Sequence, residues 1–99
     1  MESIKELIGK PVIIRGYYCG CWAGILQDNQ PENKTVVLSN AHRLWSWKAK
    51  TGICLSAIAL NGVKGGNISA AVPIVQLGDC YEIIAATKKA LQTIEDHVE

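Results

Sequence analysis

A chain of 99 residues, 48% of them hydrophobic, is long enough for one domain with its own core and too apolar to be disordered. Ten basic and nine acidic side chains leave a formal charge of +1, which argues against a protein that coats nucleic acid through many phosphate contacts. No apolar run reaches the ~18 residues that cross a bilayer, and residues 1–10 lack a signal-peptide core, so a cytoplasmic location is expected.

Ser3-Ile4-Lys5-Glu6 has the form of a capping box. It opens a short helix with Ile4, Leu7 and Ile8 as its apolar stripe, ended by Gly9 and Pro11. So short a helix is not stable alone and must dock on its own domain or on a neighbour. Residues 12–19 read as the first strand, carrying Arg15 and the pair Tyr17-Tyr18. Gly20 offers a turn or bulge, and residues 22–27 form the second strand. A polar loop over 28–33 leads to a long third strand over 35–47, with Asn40 marking a kink or bulge.

Residues 53–60 are apolar except for Ser56 and fit a short buried helix, ended near Asn61-Gly62. Lys64-Gly65-Gly66-Asn67 reads as a flexible loop, and residues 68–77 and 80–86 as two strands about a Gly78-Asp79 turn. Thr87 caps a last helix with the stripe Ala90, Leu91, Ile94 and Val98. The order predicts an α+β fold in a single domain over residues 1–99. It would be a small five-stranded, mostly antiparallel curled sheet or barrel, with an N-terminal helix, an inserted short helix and a C-terminal helix.

Little in the chain points to catalysis. Cys19, Cys21, Cys54 and Cys80 lack zinc-knuckle spacing and read as reduced, mostly buried thiols, so neither metal nor cofactor is expected. No Walker glycine loop is present, His42 and His97 have no visible nucleophilic partner, and the carboxylates gather at ends and loops. A binding protein rather than an enzyme is expected.

The segment Asn40-Ala41-His42-Arg43-Leu44-Trp45-Ser46-Trp47 carries the binding chemistry. On a regular strand, Arg43, Trp45 and Trp47 project to one side. Indoles beside a fixed guanidinium suit a ligand with a flat base and a phosphate. The competing reading makes both tryptophans plain core. Arg15, the other arginine, either meets an anion or lays its stem on apolar surface with its head in water. Lys48 and Lys50 add positive charge, and Tyr17, Tyr18 and Trp22 fit either a core or a stacking wall.

Several of these segments resemble a known family. Tyr17-Tyr18-Cys19-Gly20-Cys21-Trp22-Ala23-Gly24-Ile25-Leu26 is similar to its opening hairpin, an arginine-bearing strand followed by an aromatic–glycine turn. Val36 to Trp47 resembles its central signature, an asparagine and a basic pair followed by Leu-Trp-x-Trp. Leu55 to Val63 resembles its inserted helix, and Tyr81-Glu82-Ile83-Ile84 with Thr87 to Ile94 its last strand and helix. The family is the first-described one of phage Thoeris anti-defence sponges, and the likeness spans about residues 12–94.

The resemblance implies a non-enzymatic phage protein that binds and sequesters cyclic ADP-ribose isomers, the signals of Thoeris defence, in the cytoplasm of the infected bacterial host. It implies dimers assembling into a hexamer, in which separate sites take cyclic trinucleotides of CBASS defence. By position it assigns ligand contact to Arg43 first and Arg15 second, with Asn40, His42, Trp45 and Trp47 in the signature. The chain departs from the family's pattern in three places. The basic pair is His42-Arg43, Ile68 stands where an aromatic is expected, and the family's C-terminal arginines have no counterpart after Lys89. The alternatives are a small-barrel protein that binds single-stranded nucleic acid and a structural module of a phage particle.

Overall fold

The computed structural model describes residues 5–16, 20–30, 32, 34–49, 55–78 and 80–98. A single 3-10 turn, Lys5–Leu7, precedes strands β1 (Pro11–Gly16), β2 (Gly20–Gln30) and β3 (Thr35–Ala49). Helix α1 (Leu55–Asn61), strands β4 (Val63–Ile68), β5 (Val72–Leu77) and β6 (Cys80–Ala85), and helix α2 (Lys88–Asp96) follow. Ser3 and Ile4 of the expected capping box, the Tyr17-Tyr18-Cys19 segment, and residues 50–54 lie outside the described residues.

The strands form one antiparallel sheet in the order β4-β3-β2-β1-β6, with β5 also paired to β3. The sheet curls but does not close, because among the described residues no ladder joins β5 to β6. Among the described residues the sheet has six strands rather than the expected five. The added one is β4, over the glycines that read as a loop. Gly66 is needed there: its φ is 145°, and a Cβ would strike the Ser46 carbonyl oxygen and lie 2.7 Å from Trp47 Cα. Gly66 therefore lets β4 approach β3 closely.

The continuous run Val12-Ile13-Ile14 is buried on both faces of the sheet, which explains why it shows no polar alternation. Ile13, Ala23, Leu44 and Ile68 join Ile58 and Ala59 of α1 and Leu91 and Ile94 of α2 in one cluster. Val12, Ile14, Leu26, Val36, Leu38, Ala41 and Leu77 form a second on the opposite face. No described residue of either helix enters this second cluster. The curl buries it, bringing Val75 of β5 and Ile83 of β6 to the same apolar group. Leu7 packs there too, and the 3-10 turn is held by Gly9 N–H to the Leu26 carbonyl at 2.7 Å. Of the expected N-terminal stripe, Leu7 is packed and Ile8 is exposed, while Ile4 lies outside the described residues.

The helix ends follow the sequence signals. Gly62, at φ 86°, closes α1 by donating its N–H to the Ile58 carbonyl at 2.8 Å. Thr87 accepts from Ala90 N–H at 3.0 Å and donates to the Leu60 carbonyl at 3.1 Å, tying α2 to α1. Thr93, buried in α2, donates to the Ala90 carbonyl at 2.7 Å and accepts from Val63 N–H at 3.0 Å, joining α2 to the start of β4.

Candidate functional site

Two irregularities in β3 decide which side chains face which way. Ala23 pairs with His42, but Ile25 pairs with Ser39, so β3 carries an extra residue in this stretch. Asn40, at φ 51°, lies in this bulge, as its sequence position suggested. Gly24 makes the bulge possible, since a Cβ there would lie 2.9 Å from the Ser39 carbonyl oxygen. Farther along, Leu44 pairs with Ile68 and Ser46 with Asn67, which makes Trp45 a second extra residue.

That second bulge breaks the expected alternation of Arg43, Trp45 and Trp47. Leu44 and Trp47 both turn to the helix-covered cluster, while Trp45 and Ser46 are exposed. Trp47 is therefore packed against core, and Trp45 stands 62% exposed on the surface. The core reading thus fits Trp47, whereas Trp45 is left on the surface.

Arg43 belongs with Trp45. Its guanidinium carbon lies 4.2 Å from the centre of the Trp45 ring and 5.6 Å from that of Trp22, its cross-strand neighbour on β2. The guanidinium also passes over Gly20, where a Cβ would stand 3.2 Å from Nη2. Gly20, at φ 80°, thus clears the space that the arginine head occupies. Among the described residues no carboxylate lies within ion-pair distance of Arg43. Two indole faces hold the cation, no described carboxylate compensates its charge, and half-burial leaves it reachable from solvent.

Arg15 lies elsewhere. Paired residues of an antiparallel ladder share a face. Arg15 pairs with Cys21, which pairs with Leu44, whereas Ile14 pairs with Trp22, which pairs with Arg43. The two arginines thus project to opposite faces of the sheet and do not meet within one chain. Arg15 lies 3.8 Å from Glu82 of β6, its cross-strand partner, in an exposed pair.

His42 is turned inward and is only 3% exposed, so its ring is enclosed rather than offered to a ligand. Its Nδ1 lies 2.9 Å from the Ser69 carbonyl oxygen. A carbonyl only accepts, so Nδ1 carries the proton. Nε2 is buried without a hydrogen-bond partner, and the Glu95 carboxylate of α2 stands 3.9 Å from it. Asn40 and Lys48 are exposed on β3. Ser69, between β4 and β5, was not legible in advance: it accepts from Arg43 N–H at 2.8 Å, and no motif marks it.

Among the described residues no helix is long and apolar enough to cross a membrane, and no group of three His, Cys, Asp or Glu side chains could hold a metal ion. A family model for a domain of unknown function, DUF6948, matches residues 9–94. No curated protein and no solved structure matches the chain.

Proposed function

The chain belongs to the DUF6948 family, a domain of unknown function, and we propose that it is a non-enzymatic protein that captures a phosphate-bearing ligand with a flat base at Arg43 and Trp45. The observation that carries this reading is the Arg43 guanidinium, 4.2 Å from the Trp45 ring centre with no described carboxylate to neutralise it. Stacked in this way, its N–H donors remain available in the guanidinium plane, where they suit a phosphate in bidentate fashion. The exposed indole and Trp22 offer apolar faces for a base.

The resemblance of the Asn40 to Trp47 segment to the Thoeris anti-defence sponges narrows the ligand. On this reading the ligands are cyclic ADP-ribose isomers, with CBASS cyclic trinucleotides as a further class. The protein is a phage product acting in the host cytoplasm, and holding the signal intact keeps the effector silent. Nanomolar capture on this reading would call for an oligomer. One charged hydrogen-bond contact of about 1.5–3 kcal/mol and one base stack of about 1–3 kcal/mol fall well short of the ~12 kcal/mol of nanomolar capture. A two-fold interface that repeats the site would bring a second arginine to a ligand with two phosphates.

The test is capture and release. The protein is incubated with cyclic ADP-ribose isomers and cyclic trinucleotides, filtered, and heated, and the released ligand is identified by mass spectrometry. Recovery of unchanged ligand from the wild type and its loss in Arg43→Ala is the expected result. Retention of none of these compounds by the folded wild type overturns the reading, and capture by Arg43→Ala equal to wild type removes Arg43 from it.

A further inference from the structure

The edge of β3 is shared by two strands that do not meet. β5 pairs with Val36 to Ala41 and β4 with Leu44 to Ala49, which leaves His42 and Arg43 opposite neither. Ser69 stands in that gap. Its hydroxyl accepts from Arg43 N–H at 2.8 Å, and its own N–H donates to the Arg43 carbonyl at 3.0 Å. Its carbonyl accepts from His42 Nδ1 at 2.9 Å, and its hydroxyl proton goes to the Ala70 carbonyl at 3.1 Å. One serine thus does for the Arg43 backbone what a paired strand does elsewhere, and it ties the His42 ring to the same point.

We infer that Ser69, oriented by the buried His42, is a positioning residue for Arg43: it fixes the backbone from which the guanidinium reaches Trp45, without touching the ligand. The argument is geometric. Between two bulges, at Asn40 and at Trp45, β3 has no ladder to set the direction of the Arg43 side chain on this edge. The β2 ladder holds the other edge, through the Trp22–Arg43 pair. Removing the Ser69 hydroxyl frees the Arg43 N–H and leaves the second edge held only by Ser69's own N–H. His42 matters in turn because its Nδ1 proton holds the Ser69 carbonyl. It also explains why a histidine of the signature is enclosed: its work is done inside, between β3 and the β4–β5 connection.

The consequence for ligand capture rests on the function proposed above, while the positioning itself can be read in the free protein. The chain is labelled with 5-fluorotryptophan, and the three fluorine resonances are assigned by single Trp→Phe changes. Ser69→Ala should move the Trp45 resonance toward its position in Arg43→Ala and leave that of Trp47 in place. Ser69→Thr, which keeps the hydroxyl, should restore the wild-type position. Should the alanine variant fail to fold, Ser69→Cys, of similar size but a weaker acceptor, carries the same outcomes. A Trp45 resonance unchanged by loss of the hydroxyl, or one that moves no more than that of Trp47, overturns the inference. In the capture assay with a cyclic ADP-ribose isomer, Ser69→Ala should bind roughly five- to tenfold more weakly. If the wild type retains no ligand, the proposed function falls while the fluorine result still decides the positioning.

Discussion

Gly20→Ala separates backbone strain from displacement of the arginine head. At φ 80°, an alanine pays the left-handed penalty of about 1–2 kcal/mol. A domain of this size loses about 4–8 °C in Tm per kcal/mol, so the midpoint should fall by roughly 4–16 °C. The new Cβ would also stand 3.2 Å from Arg43 Nη2 and 3.7 Å from Nε. Those atoms end a flexible side chain, so the head gives way at little further cost in stability. Giving way lifts the guanidinium from its seat on Trp45 and misaims its donors. A charged hydrogen bond to the ligand of ~1.5–3 kcal/mol is then lost in whole or in part, or about ten- to a hundredfold in affinity. Thermal unfolding and calorimetric titration with the captured ligand read the two effects separately. Gly65→Ala is the control, since a Cβ at that position meets nothing within 4 Å and its φ is not positive. A Gly20→Ala midpoint equal to that of the control refutes the strain argument. A lowered midpoint with unchanged affinity refutes the claim that Gly20 makes room for Arg43.

The two bulge-separated tryptophans should respond in opposite ways. Trp45→Ala should lower Tm by no more than a few degrees and weaken capture by about 1–3 kcal/mol, whereas Trp47→Ala should cost about 2–4 kcal/mol of stability in urea unfolding. Equal stability losses for the pair would contradict their placement. Gly62→Ala should destabilise by about 2–5 kcal/mol, because it adds left-handed strain and drives a methyl into Thr93, whose hydroxyl serves Val63 N–H. A urea midpoint matching that of wild type would refute it.

Local chemistry is legible where one residue type has one physical use. Thr87 as a cap, Asn61-Gly62 as a helix end and Asn40 as a bulge are all readable from the residues around them. The glycines of β4 read instead as a loop, because a glycine pair signals one unless a neighbouring backbone needs the space. That neighbour lies some twenty residues away, at Ser46 and Trp47. The sidedness of the Trp45–Trp47 pair is hidden for a related reason. Period-two alternation assumes a regular ladder, and one inserted residue at Trp45 reverses every side chain after it. The opposite projection of Arg15 and Arg43 follows from strand register, which depends on the partner strands and not on either arginine's neighbours. Ser69 could not be found at all, since a serine that substitutes for a strand is defined only by the gap it fills.

The ladder between β1 and β6, which sets Val12 against Ala85, has a consequence for how the chain is made. β1 leaves the ribosome early and its hydrogen-bonding neighbour leaves late. At about 5–20 residues per second the wait is roughly 4–15 s. Through that interval Val12, Ile13 and Ile14 can pair with β2 but lack β6 on their other edge, and Ile13 lacks α2 above it. Nascent-chain length should therefore act as a threshold for protease resistance: chains stalled before residue 80 emerges stay cleavable in β1, and protection arrives in one step once β6 and α2 are free to dock.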